Sequence, residues 1–346
     1  MKSLLAIALA AVYGLLTRLL FGSANGLLEI MSVTFLFLVP VLIGFLTIIL
    51  TPAAKTTSAT AAFFRPWLTS LVLLLGTILF KIEGTICWVM IFPIFATCAG
   101  IGGLLAFALR KARTDGPNSA DAPGWQKPTG MKVSLLVVVP LALGLLEGEN
   151  ALVRQQLVIQ RAVTLPAPPA EVWQALIASK VVRPPQSPTS LSTLLGFPKH
   201  VRTTLNTAGV GGKRTAYYEK GLSFEETITQ YQPARLLVLR VDANPAAIPA
   251  AVMDEHILIG GKHLDILEDV YALQALPAGG TRLTLSSRFT INTPFNWYAR
   301  LWAHYLMADI LQGELDLLQQ EIPHRASRPW AVINDGMKDV EEGKSY

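Results

Sequence analysis

The chain has 346 residues, of which 51% are hydrophobic and only 15% charged, with a formal net charge of +5 and two cysteines. So few charges, together with a positive mean hydropathy, exclude a wholly soluble domain of ordinary composition and indicate a membrane chain. The basic residues are scattered, with no basic block interleaved by aromatics, which argues against a nucleic-acid partner; Cys87 and Cys98 lie eleven residues apart in one apolar run and cannot pair, which excludes a disulfide framework and a cysteine-type metal centre.

Apolar runs at residues 4–21, 27–50, 67–80, 86–109 and 133–146 predict about five membrane helices within residues 1–150. The first, second and fourth are long enough to cross roughly 30 Å of hydrocarbon at about 1.5 Å per residue. The fifth is shorter and needs Met131 and Lys132 at one end and Glu147 and Glu149 at the other to reach both headgroup levels. The first run continues without a small-residue cleavage pattern, so it reads as a retained helix. Lys2, Lys55, Arg65, Arg110, Lys111, Arg113, Lys127 and Lys132 all fall on one side if every run spans. That side is the cytoplasm by the positive-inside rule, which predicts an inner-membrane, multi-pass protein of bacterial type with its carboxyl-terminal part outside the cytoplasm. Residues 110–132, rich in glycine and proline, read as a cytoplasmic loop. Arg18 is expected to snorkel to the interface, and Glu29, Lys81 and Glu83, at run ends, to serve as interfacial anchors.

Residues 151–322 change to the pattern of one α+β domain. A strand at 155–165 stops at Pro166; Pro168 and Pro169 then open a helix whose Val172, Trp173, Leu176 and Ile177 have helical spacing. After a proline-rich stretch and a short helix at 191–195, six strand-like runs follow at 201–207, 213–219, 223–231, 236–242, 263–276 and 281–291, separated by glycine and proline turns that predict an antiparallel sheet. Pro294 begins a long helix through about Gln320, with Trp297, Leu301, Tyr305, Leu306, Ile310, Leu311, Leu315 and Leu318 on an apolar face. The polar tail, 323–346, is expected to be mobile.

This order, read with the segments Ala167-Pro168-Pro169-Ala170-Glu171-Val172-Trp173-Gln174-Ala175-Leu176, Gly209-Val210-Gly211-Gly212-Lys213-Arg214, Phe224-Glu225-Glu226-Thr227-Ile228-Thr229-Gln230-Tyr231-Gln232-Pro233-Ala234-Arg235 and Gly280-Thr281-Arg282-Leu283-Thr284-Leu285, resembles the helix-grip fold of the START-like, polyketide cyclase and lipid-transfer superfamily (SRPBCC). The resemblance covers about 155–320. It implies an antiparallel sheet wrapped around a long carboxyl-terminal helix, with an apolar cavity between them for lipids, sterols, polyketides or similar ligands. It fixes no single activity, because the superfamily mixes carriers, sensors and enzymes.

The cavity is expected to be lined by Trp173, Tyr217, Phe224, Glu226, Arg240, Phe289, Trp297, Leu301, His304 and Tyr305. Adjacent Glu225 and Glu226 face opposite sides of a strand, so they are no catalytic pair. Asp254, Glu255, His256, His263, Asp265, Glu268 and Asp269 match no metal-ligand spacing and read as a charged loop and a solvated strand face. No nucleophile elbow and no helix-opening phosphate loop occurs, so no catalytic residue, metal or cofactor is expected. Trp302 and Tyr298 flank the helix face and suit either core or membrane interface. The expected function is a membrane-tethered binding module for an apolar small molecule, lipid first among the candidates, with the bilayer as its other partner. The alternatives are a polyketide cyclase-like enzyme in which Glu226, Arg240, Arg288 and His304 surround a hydrophobic substrate, and a ligand-responsive membrane sensor or scaffold. Protein partners are not indicated.

Overall fold

The computed structural model describes residues 2–23, 31–83, 85–114, 133–147, 152–181, 190–248 and 258–326. Its contacts form two compact units: one runs from Met1 to Gln155 and takes in Ile291–Trp302, and the other takes in Gln156–Val252, Leu258–Thr290 and the chain from Ala303 onward. The glycine- and proline-rich stretch from 115 to 132, the acidic residues Asp254 and Glu255 with His256, and the tail beyond 326 lie outside the described residues.

The first unit is helical: α1 (Lys2–Ser23), α2 (Val39–Leu50, entered through a π turn at Thr34–Leu38), α3 (Ala59–Leu79), α4 (Thr85–Thr114) and α5 (Val133–Glu147). Among the described residues three helices, not five, are long and apolar enough to cross a membrane: Lys2–Phe21, Ala59–Leu79 and Ile86–Ala112. The second run yields only Thr34–Leu50 as described helix and the fifth, over its described side chains, only Val138–Glu147. The third run lengthens instead, because Ser58 caps it eight residues early and more, its side chain accepting a hydrogen bond from the Ala61 N–H. That cap brings Ala59 to Arg65 into the helix ahead of the apolar run.

Polar groups fasten the helix ends. The Glu147 carboxylate accepts the N–H groups of Val33 and Thr34, the latter at 2.9 Å, so the end of α5 caps the entry to α2. At the other end of α2 the Arg110 guanidinium donates to the carbonyls of Ile49 and Thr51 at 2.6 and 2.7 Å. Arg18 does not snorkel as expected: it is buried in an ion pair with Glu83, the two side chains only 9% and 8% exposed. A buried charge is retained at lower cost when an opposite charge partners it. Helix α4 meets its neighbours through small residues. A Cβ built on Gly44 of α2 would lie 1.7 Å from the Ala99 carbonyl oxygen of α4, and one on Gly102 of α4 would lie 1.9 Å from the Val41 oxygen. These helices therefore touch backbone to backbone, the close approach that small residues at a helix interface allow.

The second unit follows the expected order closely: β1 (Val153–Leu165), α6 (Pro169–Ile177), a two-residue β2 (Lys180–Val181), α7 (Leu191–Leu194), β3 (His200–Leu205), β4 (Lys213–Tyr218), β5 (Ser223–Gln232), β6 (Leu236–Asp242), β7 (Leu264–Ala275), β8 (Thr281–Thr293) and α8 (Asn296–Ala326). One eight-stranded sheet runs β1-β8-β7-β6-β5-β4-β3-β2, antiparallel through β2 to β7. Alternation sets the faces. Arg214, Ala216, Phe224, Glu226, Ile228, Leu237, Leu239, Leu283, Leu285, Ser287 and Phe289 are buried, whereas Arg240 and Arg282 on the same strands are exposed. Helix α8 buries Leu306, Met307, Ala308, Leu311, Leu315, Leu318 and Ile322.

Candidate functional site

The inward face of this sheet is apolar except for one patch, where the register of three hairpins gathers ionisable groups. Arg214 on β4 stands opposite Glu226 on β5, and Nη1 of the guanidinium donates to Oε2 of the carboxylate at 2.7 Å, both side chains buried. Asp269 stands opposite Leu239, and Tyr271 opposite Leu237, on β7; the Arg214 guanidinium lies 5.8 Å from the Tyr271 ring centroid. His200, at the start of β3, stacks on the Tyr218 ring at 5.1 Å, and that ring meets Phe224 edge-on at 5.6 Å. Helix α8 closes the patch: His200 Nδ1 lies 3.0 Å from Glu314 Oε1, and Thr203 Oγ1 lies 2.8 Å from His200 Nε2. His200 Nε2 also lies 3.2 Å from the Arg202 carbonyl oxygen.

The electrostatics of the patch follow from burial and crowding. Burial opposes the Arg214 charge, but Glu226, Tyr271 and Glu314 outweigh it and keep the guanidinium protonated. Burial raises Glu226 above the usual carboxylate range; Arg214 opposes this and Glu314 adds to it. Tyr218 is raised well above its ordinary value by burial and by Glu314 and Glu226, and Tyr271 is raised by burial against the opposing pull of Arg214. Burial pushes Asp269 up to about 7, with Ser287 opposing and Glu226 adding. Within this set Arg214 Nε, Asp269 Oδ1 and Ser287 Oγ are out of contact with solvent; Ser287 is close enough to act on Asp269 as a hydrogen-bond partner, and Arg214 Nε makes no hydrogen bond. A buried polar group without a partner costs about 1–3 kcal/mol unless something satisfies it.

One pH dependence follows. Because folded Asp269 titrates at about 7 and its ordinary value is 3.8, the folded chain holds a proton that the unfolded chain has shed between those limits. The resulting stabilisation is full below the unfolded value and is lost as pH rises through the folded one. Asp269→Asn is therefore expected to flatten the decline in melting temperature between pH 5 and pH 8 and to gain on the wild type at the upper end. Parallel pH profiles that decline equally would contradict it.

The expected lining residues divide by strand parity and by position along α8. Phe224 and Glu226 belong to the patch, and Phe289 is buried two residues beyond Ser287 on the same face of β8. Trp173 is buried on α6 against the Tyr231 ring, 5.1 Å away. Tyr217 is not brought to the patch: its neighbours Ala216 and Tyr218 take the inward side, and the Arg202 guanidinium covers its ring at 4.2 Å. Arg240 pairs in register with Thr227, on the outward side, and bonds Asp242 at 3.0 Å. Arg288 likewise bonds Glu268, at 3.1 Å. Trp297, Leu301, His304 and Tyr305 are exposed, so none of them lines an enclosed space.

The acidic run read as a solvated strand face needs correction, for Glu268 is half-buried and paired while Asp269 turns inward. His200, Arg214, Tyr218, Tyr271, Ser287 and Glu314 were not expected in the site. A usable signal existed for one of them: folding the hairpin about Glu219–Gly221 pairs Arg214 with Glu226 across strands, an opposite-charge pair on the inward parity. Among the described residues no group of three or more histidine, cysteine, aspartate or glutamate side chains is arranged to hold a metal ion.

No family model matches the chain, and no curated protein matches it. Among solved structures it is similar to the Zhui aromatase/cyclase from Streptomyces sp. R1128, at 15% identity and a TM-score of 0.32 over 50% of this chain and 96% of that one. It is also similar to Ara h 8.0201, at 12% identity and a TM-score of 0.29 over 50% of this chain and all of that one. A third is an uncharacterised protein from Rhizobium leguminosarum, at 14% identity and a TM-score of 0.31 over 50% of this chain and 98% of that one.

Proposed function

We propose that this chain is a membrane-held binding protein for an amphipathic small molecule of the lipid class, taken up against the inward face of its sheet. The observation that carries the reading is the inward patch of Arg214, Glu226, Asp269 and Ser287 set in an otherwise apolar face, with Arg214 Nε there lacking a partner. A wholly apolar ligand would leave that atom unsatisfied, and a wholly polar one would waste the area offered by Phe224, Leu239, Leu285 and Phe289. The charge balance sets the headgroup. Glu226, Glu314 and Asp269 crowd the Arg214 guanidinium, so an acidic head would meet carboxyl groups there, and an uncharged hydroxyl or carbonyl is favoured.

Purified without added lipid and examined by native mass spectrometry, the full chain is expected to carry one additional small molecule of lipid mass, with a Phe289→Asp variant depleted of it. A chain that never carries such a molecule would contradict the proposal. The competing reading as an acid–base enzyme is favoured by the raised Asp269 alone. It would be adopted if a bound molecule were chemically changed by the wild type and left intact by Asp269→Asn.

The inner-membrane placement and the orientation are part of the same proposal. Five crossings put residues from 153 onward on the side opposite Lys2 and Asn118 on the Lys2 side. Reporter fusions at Asn118 and Gln320 are expected to be active on opposite sides of the membrane; activity on the same side would overturn the topology.

A further inference from the structure

We infer that the first turns of α8 carry a bilayer-docking surface, the stripe Trp297, Leu301 and Tyr305, which seats in the headgroup–acyl boundary of a phospholipid membrane. These three large side chains are 62%, 60% and 51% exposed. Steps of four residues keep them on one side of the helix. Farther along, the same side is buried at Ala308, Leu311 and Leu315, Leu315 lying about five turns beyond Trp297. One apolar face thus runs the length of α8, covered by protein in its later turns and bare in its first three.

Two observations commit the bare part to lipid. The first is continuity with the membrane helices. Phe295 is buried in one cluster with Phe21, Met31, Phe35 and Trp88, Tyr298 and Ala299 pack against it, and the Tyr298 hydroxyl donates to the Met90 carbonyl of α4. These partners stand at the helix ends joined by the Arg18–Glu83 and Glu147–Thr34 contacts. The exposed apolar side chains Leu20, Leu79, Phe80 and Leu146 lie at those same ends, so the first turns of α8 start at the level where hydrocarbon gives way to headgroups. The second is side-chain type. Tryptophan and tyrosine present an apolar body and a polar tip, the pair enriched at membrane interfaces. Arg300 is exposed on the same side, within one turn of Trp297, where a cation meets lipid phosphate. A surface meant for solvent would not carry the first three residues, and one meant for a buried protein contact gains nothing from the flanking cation. The inference requires the membrane helices to be inserted and is independent of the ligand reading.

The test uses the full chain with Cys87→Ala and Cys98→Ala, an environment-sensitive fluorophore on Leu301→Cys, and vesicles of phosphatidylcholine with phosphatidylglycerol. Expected are blue-shifted emission and quenching by lipids spin-labelled near the headgroup that is at least twofold stronger than by lipids labelled deep in the chain. The same fluorophore on Lys220→Cys, an exposed turn of the sheet domain, is expected to stay unquenched by either. Water-like emission at position 301 would overturn the inference. So would blue-shifted emission indifferent to the spin-labelled lipids, which would mean that protein, from a second copy or a partner, covers the stripe. Should the cysteine-free background fail to fold, photoactivatable phosphatidylcholine on the unaltered chain gives the same decision: adducts are expected on Trp297, Leu301 or Tyr305, and their absence contradicts the docking surface.

Discussion

Arg214→Met should cost the sheet domain about 3–5 kcal/mol, the loss typical of removing one partner from a buried ion pair. The substitution leaves Glu226 buried without its 2.7 Å partner and faces it with Glu314 and Asp269, so three carboxyl groups share a patch that has lost its guanidinium. Against a total stability of roughly 5–15 kcal/mol, that amounts to a fall in melting temperature of about 10 °C or more for a domain of this size. Thermal unfolding of the full chain in detergent, followed by near-ultraviolet circular dichroism, measures it. The double substitution Arg214→Met with Glu226→Leu should recover most of the loss, because an apolar pair of similar volume carries no stranded charge. A single variant as stable as the wild type would show that the patch is hydrated and open, and the charge argument for the headgroup would fail with it.

Gly44→Leu should be the most damaging single change in the membrane unit. The added Cβ alone would sit 1.7 Å from the Ala99 carbonyl oxygen, and the rest of the side chain has backbone on that side rather than a flexible neighbour that can move. Helices α2 and α4 would have to separate, which forfeits the close contact on which bundle association in lipid depends. Overpacking of this kind costs about 1–3 kcal/mol where side chains yield and more where backbone must move. Gly102→Leu, against the Val41 oxygen at 1.9 Å, should act alike, whereas Gly76→Leu, with no heavy atom within 4 Å, should be tolerated. Size-exclusion profiles of the three variants after mild heating in detergent give the comparison. Equal behaviour of Gly44→Leu and Gly76→Leu would contradict the backbone contact.

Much of the fold was legible because it rests on local signals. Alternation and glycine or proline turns located the six strands after α7 to within about two residues at most ends, since those residues act within a few positions of themselves. Membrane helices were less so. Hydropathy finds apolar runs but not caps, and the Ser58 hydroxyl, outside any apolar run, set the start of α3. The site was half legible. Parity on β5 correctly separated Glu225 from Glu226, but Tyr217 rather than Tyr218 was expected inward, since nothing in β4 alone fixes its register against β5. Glu314 was out of reach of such reasoning, because its pairing with His200 joins residues 114 apart in the chain. The apolar face of α8 was read correctly as a face; which part of it is covered depends on what else the chain brings there, and only the folded structure distinguishes Leu311 from Leu301.

The central claim is that the inward face of the sheet holds an uncharged amphiphile. The most direct measurement offers the purified full chain photoactivatable monoolein and photoactivatable oleic acid, which share one chain and differ in the head, and counts only adducts on peptides within 200–318. Monoolein is expected to label the strands bearing Phe224, Leu239 and Phe289 at least tenfold more than oleate at neutral pH. Glu226→Gln, which removes the carboxylate bonded to Arg214, should bring oleate up towards monoolein. Labelling confined to the membrane helices, with none in the sheet domain from either probe, would contradict the account.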